Sequence, residues 1–274
     1  MTSFSNRPSF QPDRQPVINL PRVILWLVVA FVAVHLWRTW ILSPEDDFQT
    51  LMDYALIPAR WSIGYLSDGA RLVVEHVNAL EGGERVWKSQ LAQFLIQEAQ
   101  PKPWTIMTYA FLHGSWMHLG FNVIWLAAFG SPIARRWGDA RFLMLCVLTA
   151  GGGALAHYIS RPLDLVPTIG ASGIVSGMMG AAVWFAFSPS QRRWDKPELP
   201  HHERLRLSLA GLMRNRTVVG FILIWFVTNY VFAVMAEPMG FGDASIAWQA
   251  HIGGFLIGFL MFPLLDRKHL TPKI

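Results

Sequence analysis

The stretch Ala247–Leu265, AWQAHIGGFLIGFLMFPLL, carries no charged residue and yet holds a histidine, His251, near its start. A helix needs about 20 mainly apolar residues to cross roughly 30 Å of hydrocarbon, and this segment qualifies. Outward from it the same pattern recurs at about Val23–Leu42, Trp116–Phe129, Phe142–Ile159, Ile169–Phe187 and Val218–Met235. The first of these is too long for a signal-peptide core and has no small-residue cleavage pattern behind it, so it is expected to stay in the protein. The second is short unless it starts within Thr105–His113. Residues 43–103 are more polar. Within them Val73, Val77 and Leu80, then Leu91, Phe94 and Leu95, recur at helical spacing, which predicts short amphipathic helices at the membrane surface. The expected fold is an all-α polytopic membrane protein, a six-transmembrane-helix bundle with a large first extracytoplasmic loop. Its parts are a disordered tail over residues 1–22 marked by Pro8, Pro12, Pro16 and Pro21, a membrane domain over 23–266 and a second tail over 267–274.

Charge orients the bundle. Hydrophobic residues make up 53% of the chain and charged ones only 15%, against about 25% charged in soluble domains. Sixteen of the 23 Lys and Arg residues, but six of the 18 acids, lie in residues 1–22, the Gly130–Arg141 turn, the Ser188–Thr217 loop and residues 266–274. By the positive-inside rule these segments are cytoplasmic, so both termini are expected on the inner face of the cell membrane. An even number of spans requires the same. The net charge of +5 is therefore read as membrane topology, and no nucleic-acid partner is expected. Cys146, the one cysteine, lies within a span and reads as a packing residue.

Lipid cannot satisfy polar side chains, so those inside spans face the bundle interior and are functional suspects. They are His35, His118, Asn122, His157, Ser172, Asn229 and His251. His118 and Asn122 stand four apart on one helical face, where both can donate to an anion or glue helix to helix. Ser172, in Gly170-Ala171-Ser172-Gly173, opens a span at a helix N-terminus, where free N–H groups favour negative charge. Simple N-capping would explain a serine there as well. Gly254 and Gly258 after His251, and Gly173 and Gly177 after Ser172, offer two flat faces whose backbones can approach closely. That packing would bring Ser172 within reach of His251.

These motifs resemble the rhomboid intramembrane serine proteases. The family pattern places His-x-x-x-Asn in the second helix, Gly-x-Ser-Gly at the start of the fourth and Ala-His-x-x-Gly-x-x-x-Gly in the sixth. Here they are His118 with Asn122, Gly170 to Gly173, and Ala250, His251, Gly254 and Gly258, in that order. Phe111-Leu112-His113-Gly114-Ser115-Trp116 also looks like the family's approach to its second helix. Three features depart from the pattern. Ser176 stands where many members carry a tyrosine stacked on the catalytic histidine, so His251 needs another support. Ala134, Arg135 and Arg136 occupy the turn where a glutamate is usual, a change expected to affect stability more than catalysis. A first-loop Trp-Arg pair has only a reversed counterpart, Arg60-Trp61.

The resemblance implies a Ser-His dyad: Ser172 as nucleophile, His251 as base, and the Ser172 N–H with His118 and Asn122 holding the oxyanion. It implies transmembrane protein substrates that pass between the second and fifth helices, with Phe121 and Trp225 as possible gate residues. No cofactor is implied. No metal is expected either, since His202-Glu203-Arg204-Leu205-Arg206 lacks the second histidine of a zincin helix. Two rival classes are a catalytically silent rhomboid-like protein that binds membrane clients and a small transporter using the same polar residues.

Overall fold

The structure, a computed structural model, describes residues 19–98, 100–189, 199–235 and 247–266. Most of the expected N-terminal tail and the whole of the C-terminal one lie outside the described residues. Among these residues every regular element is a helix, and the one β-type contact is an isolated bridge between Leu56 and Thr168.

Helix α1 (Arg22–Leu36) follows Pro21 and runs on through a π-helical turn to Ile41. Ser43 caps α2 (Pro44–Tyr54) by accepting from the Asp46 N–H, with proline at the first position and three acids in the first turn. α3 (Pro58–Tyr65), α4 (Gly69–Asn78) and α5 (Gly82–Glu98) complete the polar stretch. These four helices share a small core of their own, in which Met52, Ile57, Val73, Val77, Leu95 and Leu165 are buried. Arg60 lies 2.8 Å from Glu98, and the Trp61 indole donates to Thr105 Oγ1 at 3.1 Å. The two halves of the reversed pair thus fasten different parts of this region.

After the short α6 (Thr105–Thr108), Ser115 caps α7 (Trp116–Trp125) through the His118 N–H. A π-helical turn joins α7 to α8 (Ser131–Trp137). Gly138, at φ 78°, reverses the chain into α9 (Asp139–Ser160), a backbone angle that favours glycine. α10 (Ser172–Ala182), α11 (Leu209–Arg214), α12 (Arg216–Met235) and α13 (Trp248–Leu265) follow.

Among the described residues four helical stretches are long and apolar enough to cross a membrane: Arg22–Ile41, Trp116–Trp137, Asp139–Ser160 and Trp248–Leu265. Their outward faces are apolar, with Trp26, Ile124, Ile159 and Leu264 each at least 60% exposed. Such surface suits lipid and not water. Trp37, Trp40, Trp104, Trp116 and Trp248 are also exposed, and the Trp40 and Trp116 rings lie 6.0 Å apart, as tryptophans do in the aromatic belt at a membrane interface.

Two spans differ from the sequence expectation. The second runs from Trp116 on to Trp137, because the π-helical turn carries the helix through Gly130 instead of ending it there. The fourth begins only at Ser172 and its regular helix stops at Ala182. At 1.5 Å per residue these 11 residues rise about 16 Å, half of the hydrocarbon thickness. Ten of the 11 are buried, so α10 is the axis around which the longer helices stand.

α10 meets α13 backbone to backbone. A Cβ added to Gly254 would overlap the Gly173 carbonyl oxygen, and one on Gly258 would overlap that of Gly177. α9 reaches α13 in the same way, since a Cβ on Gly253 would overlap the Gly152 carbonyl. Far from this contact, at the C-terminal end of α13, Asp266 accepts twice from Arg136, at 2.8 Å each, and from the Trp137 indole at 3.1 Å. Arg136 also donates to the carbonyls of His202 and Arg204.

Candidate active site

Ser172 is the first residue of α10, and its hydroxyl makes no capping bond; the cap position is Ala171. Instead Ser172 Oγ lies 2.7 Å from His251 Nε2, on the first turn of α13. The glycine contacts between α10 and α13 set this distance, since they bring the two helix starts side by side.

The other ring nitrogen, His251 Nδ1, lies 2.6 Å from Asn229 Oδ1 on α12. Asn229 is among the intramembrane polar residues singled out above, but no role followed from its place in the sequence. Nothing in a linear pattern says which helix a single asparagine faces. One turn back from Asn229, Trp225 is buried and stacks on Phe255 of α13, with ring centroids 4.3 Å apart. Phe121, the other possible gate residue, is 56% exposed on the flank of α7.

The backbone ahead of Ser172 is irregular and closely fastened. Gly170 has φ 121°, a conformation that L side chains rarely adopt, and a Cβ there would stand 2.7 Å from the His118 ring. His118 is therefore held against the loop that leads into Ser172. Asn122 is buried one turn further along α7, and one of its amide hydrogens goes to the His118 carbonyl at 3.0 Å. The His118 ring also meets His113 edge to face, at 5.2 Å between centroids.

Tyr109 was not singled out by the sequence. Its carbonyl accepts from the Gly170 N–H at 2.9 Å, and its hydroxyl donates to the Ala150 carbonyl at 2.9 Å. The same hydroxyl lies 3.0 Å from where a Cβ would stand on Gly153 or on Gly173. Tyr109 thus fills the notch between α9 and α10 and fixes the turn into Ser172. Its position in a short stretch outside the recognisable spans hid this from any periodicity argument.

A serine hydroxyl held by an imidazole at the buried start of a helix is the geometry of an activated nucleophile. The sequence profile of the Rhomboid domain matches residues 100–268, which include all of these residues. The chain belongs to the rhomboid family. It is 27% identical over 185 residues to a protein named Rhomboid protease GlpG from Serratia proteamaculans, covering 67% of this chain and 53% of that protein. To Rhomboid protease GluP from Bacillus subtilis it is 28% identical over 161 residues, 59% of this chain and 26% of the relative. To Rhomboid protease GlpG from Salmonella paratyphi A it is 26% identical over 158 residues, 58% and 47% respectively. The match thus spans about half the length of the GlpG relatives and about a quarter of GluP. Rhomboid membership and the apolar helices together make this a membrane-embedded helical protein of a protease family.

Proposed function

We propose that this rhomboid is an intramembrane serine endopeptidase that cuts transmembrane protein substrates with Ser172 as nucleophile and His251 as base. The observation that carries the reading is the 2.7 Å contact between Ser172 Oγ and His251 Nε2. His251 takes the hydroxyl proton as Oγ attacks a peptide carbonyl, then gives it to the leaving amine, and water hydrolyses the acyl-enzyme. The oxyanion is held by the Ser172 N–H together with His118 and Asn122. Asn122 has a second amide hydrogen beyond the one given to His118, and His118 already rests against Gly170. Such donors are worth about 3–4 kcal/mol each in a dry site.

The proposal includes six membrane spans over residues 23–266, with 43–103 as an extracytoplasmic first loop and both termini in the cytoplasm. α10 and α12 are the spans that fall short of the length test, as Ser172–Ala182 and Arg216–Val231. α10 can be short because it is wrapped by protein and not by lipid, and in this reading its late start leaves Ser172 within the membrane. Substrate passes between α7 and α12. Phe129 and Phe221 close that interval at one end, with centroids 5.8 Å apart. Phe121 and Trp225 flank it nearer the site. The silent, client-binding alternative gives no reason for a serine hydroxyl to meet an imidazole at 2.7 Å.

A fluorophosphonate mimics the tetrahedral intermediate and labels serines activated by a base. The purified protein in detergent is expected to be labelled at Ser172. Labelling should vanish in Ser172→Ala, fall severely in His251→Ala and persist in Ser176→Ala. A folded wild-type protein with no Ser172 adduct would favour the silent reading, and an adduct at Ser176 would mean the nucleophile is misassigned.

A further inference from the structure

Asn229 does more than touch the candidate base: its own hydrogen bonds decide which way the base works. Its amide nitrogen donates to the Trp225 carbonyl, one turn back on α12, at 2.8 Å. A carbonyl can only accept, so this bond fixes the amide with Oδ1 turned toward His251. Oδ1 in turn can only accept, so the His251 nitrogen 2.6 Å from it must carry the hydrogen. Neutral imidazole has one N–H. With that hydrogen on Nδ1, the lone pair sits on Nε2, the atom that faces Ser172 Oγ at 2.7 Å. The opposite tautomer would place N–H against the serine hydroxyl and leave no base there.

We infer that Asn229 is the positioning residue of a Ser172–His251–Asn229 relay, holding His251 in the tautomer and ring orientation that accept the serine proton. This rests on the reading of Ser172 and His251 as nucleophile and base. It answers what supports His251 where Ser176 replaces the family's usual tyrosine: a hydrogen bond from the edge of the ring instead of a ring against its face. A neutral amide suits a membrane helix better than the carboxylate of a water-soluble triad, because an ionised side chain within hydrocarbon is costly. During catalysis His251 becomes an imidazolium with both nitrogens donating, and Oδ1 still accepts from Nδ1. The support also comes from a third helix. α10 and α13 touch through glycine backbones, whereas α12 reaches α13 through side chains, the Trp225–Phe255 stack and the Asn229–His251 bond. The base is therefore aligned only while α12 lies against α13.

The test compares fluorophosphonate labelling of Ser172 in wild type, Asn229→Leu and Asn229→Asp. Leucine has the same number and branching of side-chain heavy atoms as asparagine and is favoured on a membrane helix, so the thermal midpoint in detergent is expected to stay near that of wild type. The maximal labelling rate should fall about ten- to hundredfold in Asn229→Leu, with the half-saturating probe concentration little changed. Asn229→Asp restores an acceptor and should recover most of the rate. Equal labelling of wild type and Asn229→Leu would overturn the role of Asn229 while leaving the dyad intact; no labelling of wild type would overturn the dyad itself. A second measurement needs no variant. In protein with 15N-labelled histidine, the His251 signals should report a protonated Nδ1 and a bare Nε2. The reverse assignment in folded wild type would sink the proposal.

Discussion

Replacing Gly254 by alanine tests whether backbone contact between α10 and α13 sets the site. A Cβ on Gly254 would overlap the Gly173 carbonyl oxygen and stand 2.8 Å from its carbon and 3.1 Å from the Gly173 Cα. These atoms are backbone, so no rotamer change can make room. Carbon atoms pack best at about 3.5–4.0 Å, so the two helices must part by about 1 Å. His251 lies on the same turn of α13 as Gly254, and its 2.7 Å contact with Ser172 would lengthen past hydrogen-bond range. Overpacking of this kind costs about 1–3 kcal/mol. At about 2–4 °C per kcal/mol for a chain of this size, the thermal midpoint in detergent should fall by about 2–12 °C. A displacement of that size at the reacting atoms can cost about a hundredfold in rate. Gly220→Ala is the matched control, because nothing lies within 4 Å of a Cβ there. It should leave both the midpoint and the Ser172 labelling rate unchanged. If Gly254→Ala behaved like Gly220→Ala, close helix approach would not be what assembles the site.

Asn122→Ala is expected to lower peptide turnover about ten- to thousandfold with little change in apparent substrate affinity, since an oxyanion donor acts on charge that develops in the transition state. A change in affinity alone would make Asn122 a substrate-positioning residue. In a Cys146→Ala background, a cysteine at Glu84 should react with an impermeant maleimide added outside intact cells, and one at Glu203 only after the membrane is opened; the reverse would invert the topology. Asp266→Asn leaves the buried Arg136 guanidinium without its charge partner, whose carboxylate side chain is only 1% exposed. Breaking a buried pair costs about 3–5 kcal/mol, so a thermal midpoint equal to wild type would show that this cluster does not hold the bundle together.

The parts of the site that follow helical spacing were legible in the sequence. His118 and Asn122 share a face of α7 because they stand four apart, and Gly254 and Gly258 share a face of α13 for the same reason. What escaped were features decided by tertiary contact. Ile169–Phe187 carries no charged residue and no proline, so composition could not say that helix would begin at Ser172 and end at Ala182. α10 is both short and buried on every side, and neither property is written in its own residues. Asn229 was visible as a polar residue on an apolar helix, but its partner lies 22 positions away on another helix. Arg136 and Asp266 lie 130 positions apart, and neither has a local pattern that names the other. Tyr109 supports the site through a backbone carbonyl, an atom that every residue possesses.

The short α10 creates a difficulty that the polar region 44–111 resolves. If the helix starts only at Ser172, the chain leading to it must approach that depth without helical hydrogen bonds, and lipid cannot supply them. The structure supplies them from protein. Ser62 Oγ donates to the Pro162 carbonyl at 2.7 Å, and the Ala59 N–H donates to that of Asp164 at 2.9 Å. Leu56 and Thr168 exchange a pair of backbone bonds at 3.1 and 2.8 Å, and Tyr109 accepts from Gly170. The residues from α3 to the end of the Tyr109 turn therefore act as a frame for the segment that delivers Ser172. The frame is rigid where it matters because it has its own buried core around Ile57, Val73 and Leu95. Its loss would leave the 161–171 backbone unsatisfied and free Gly170 from Tyr109, and with it the turn that places Ser172 beside His251. None of these helices carries a residue of the proposed chemistry, yet the geometry of Ser172 depends on them as much as on the glycines of α13.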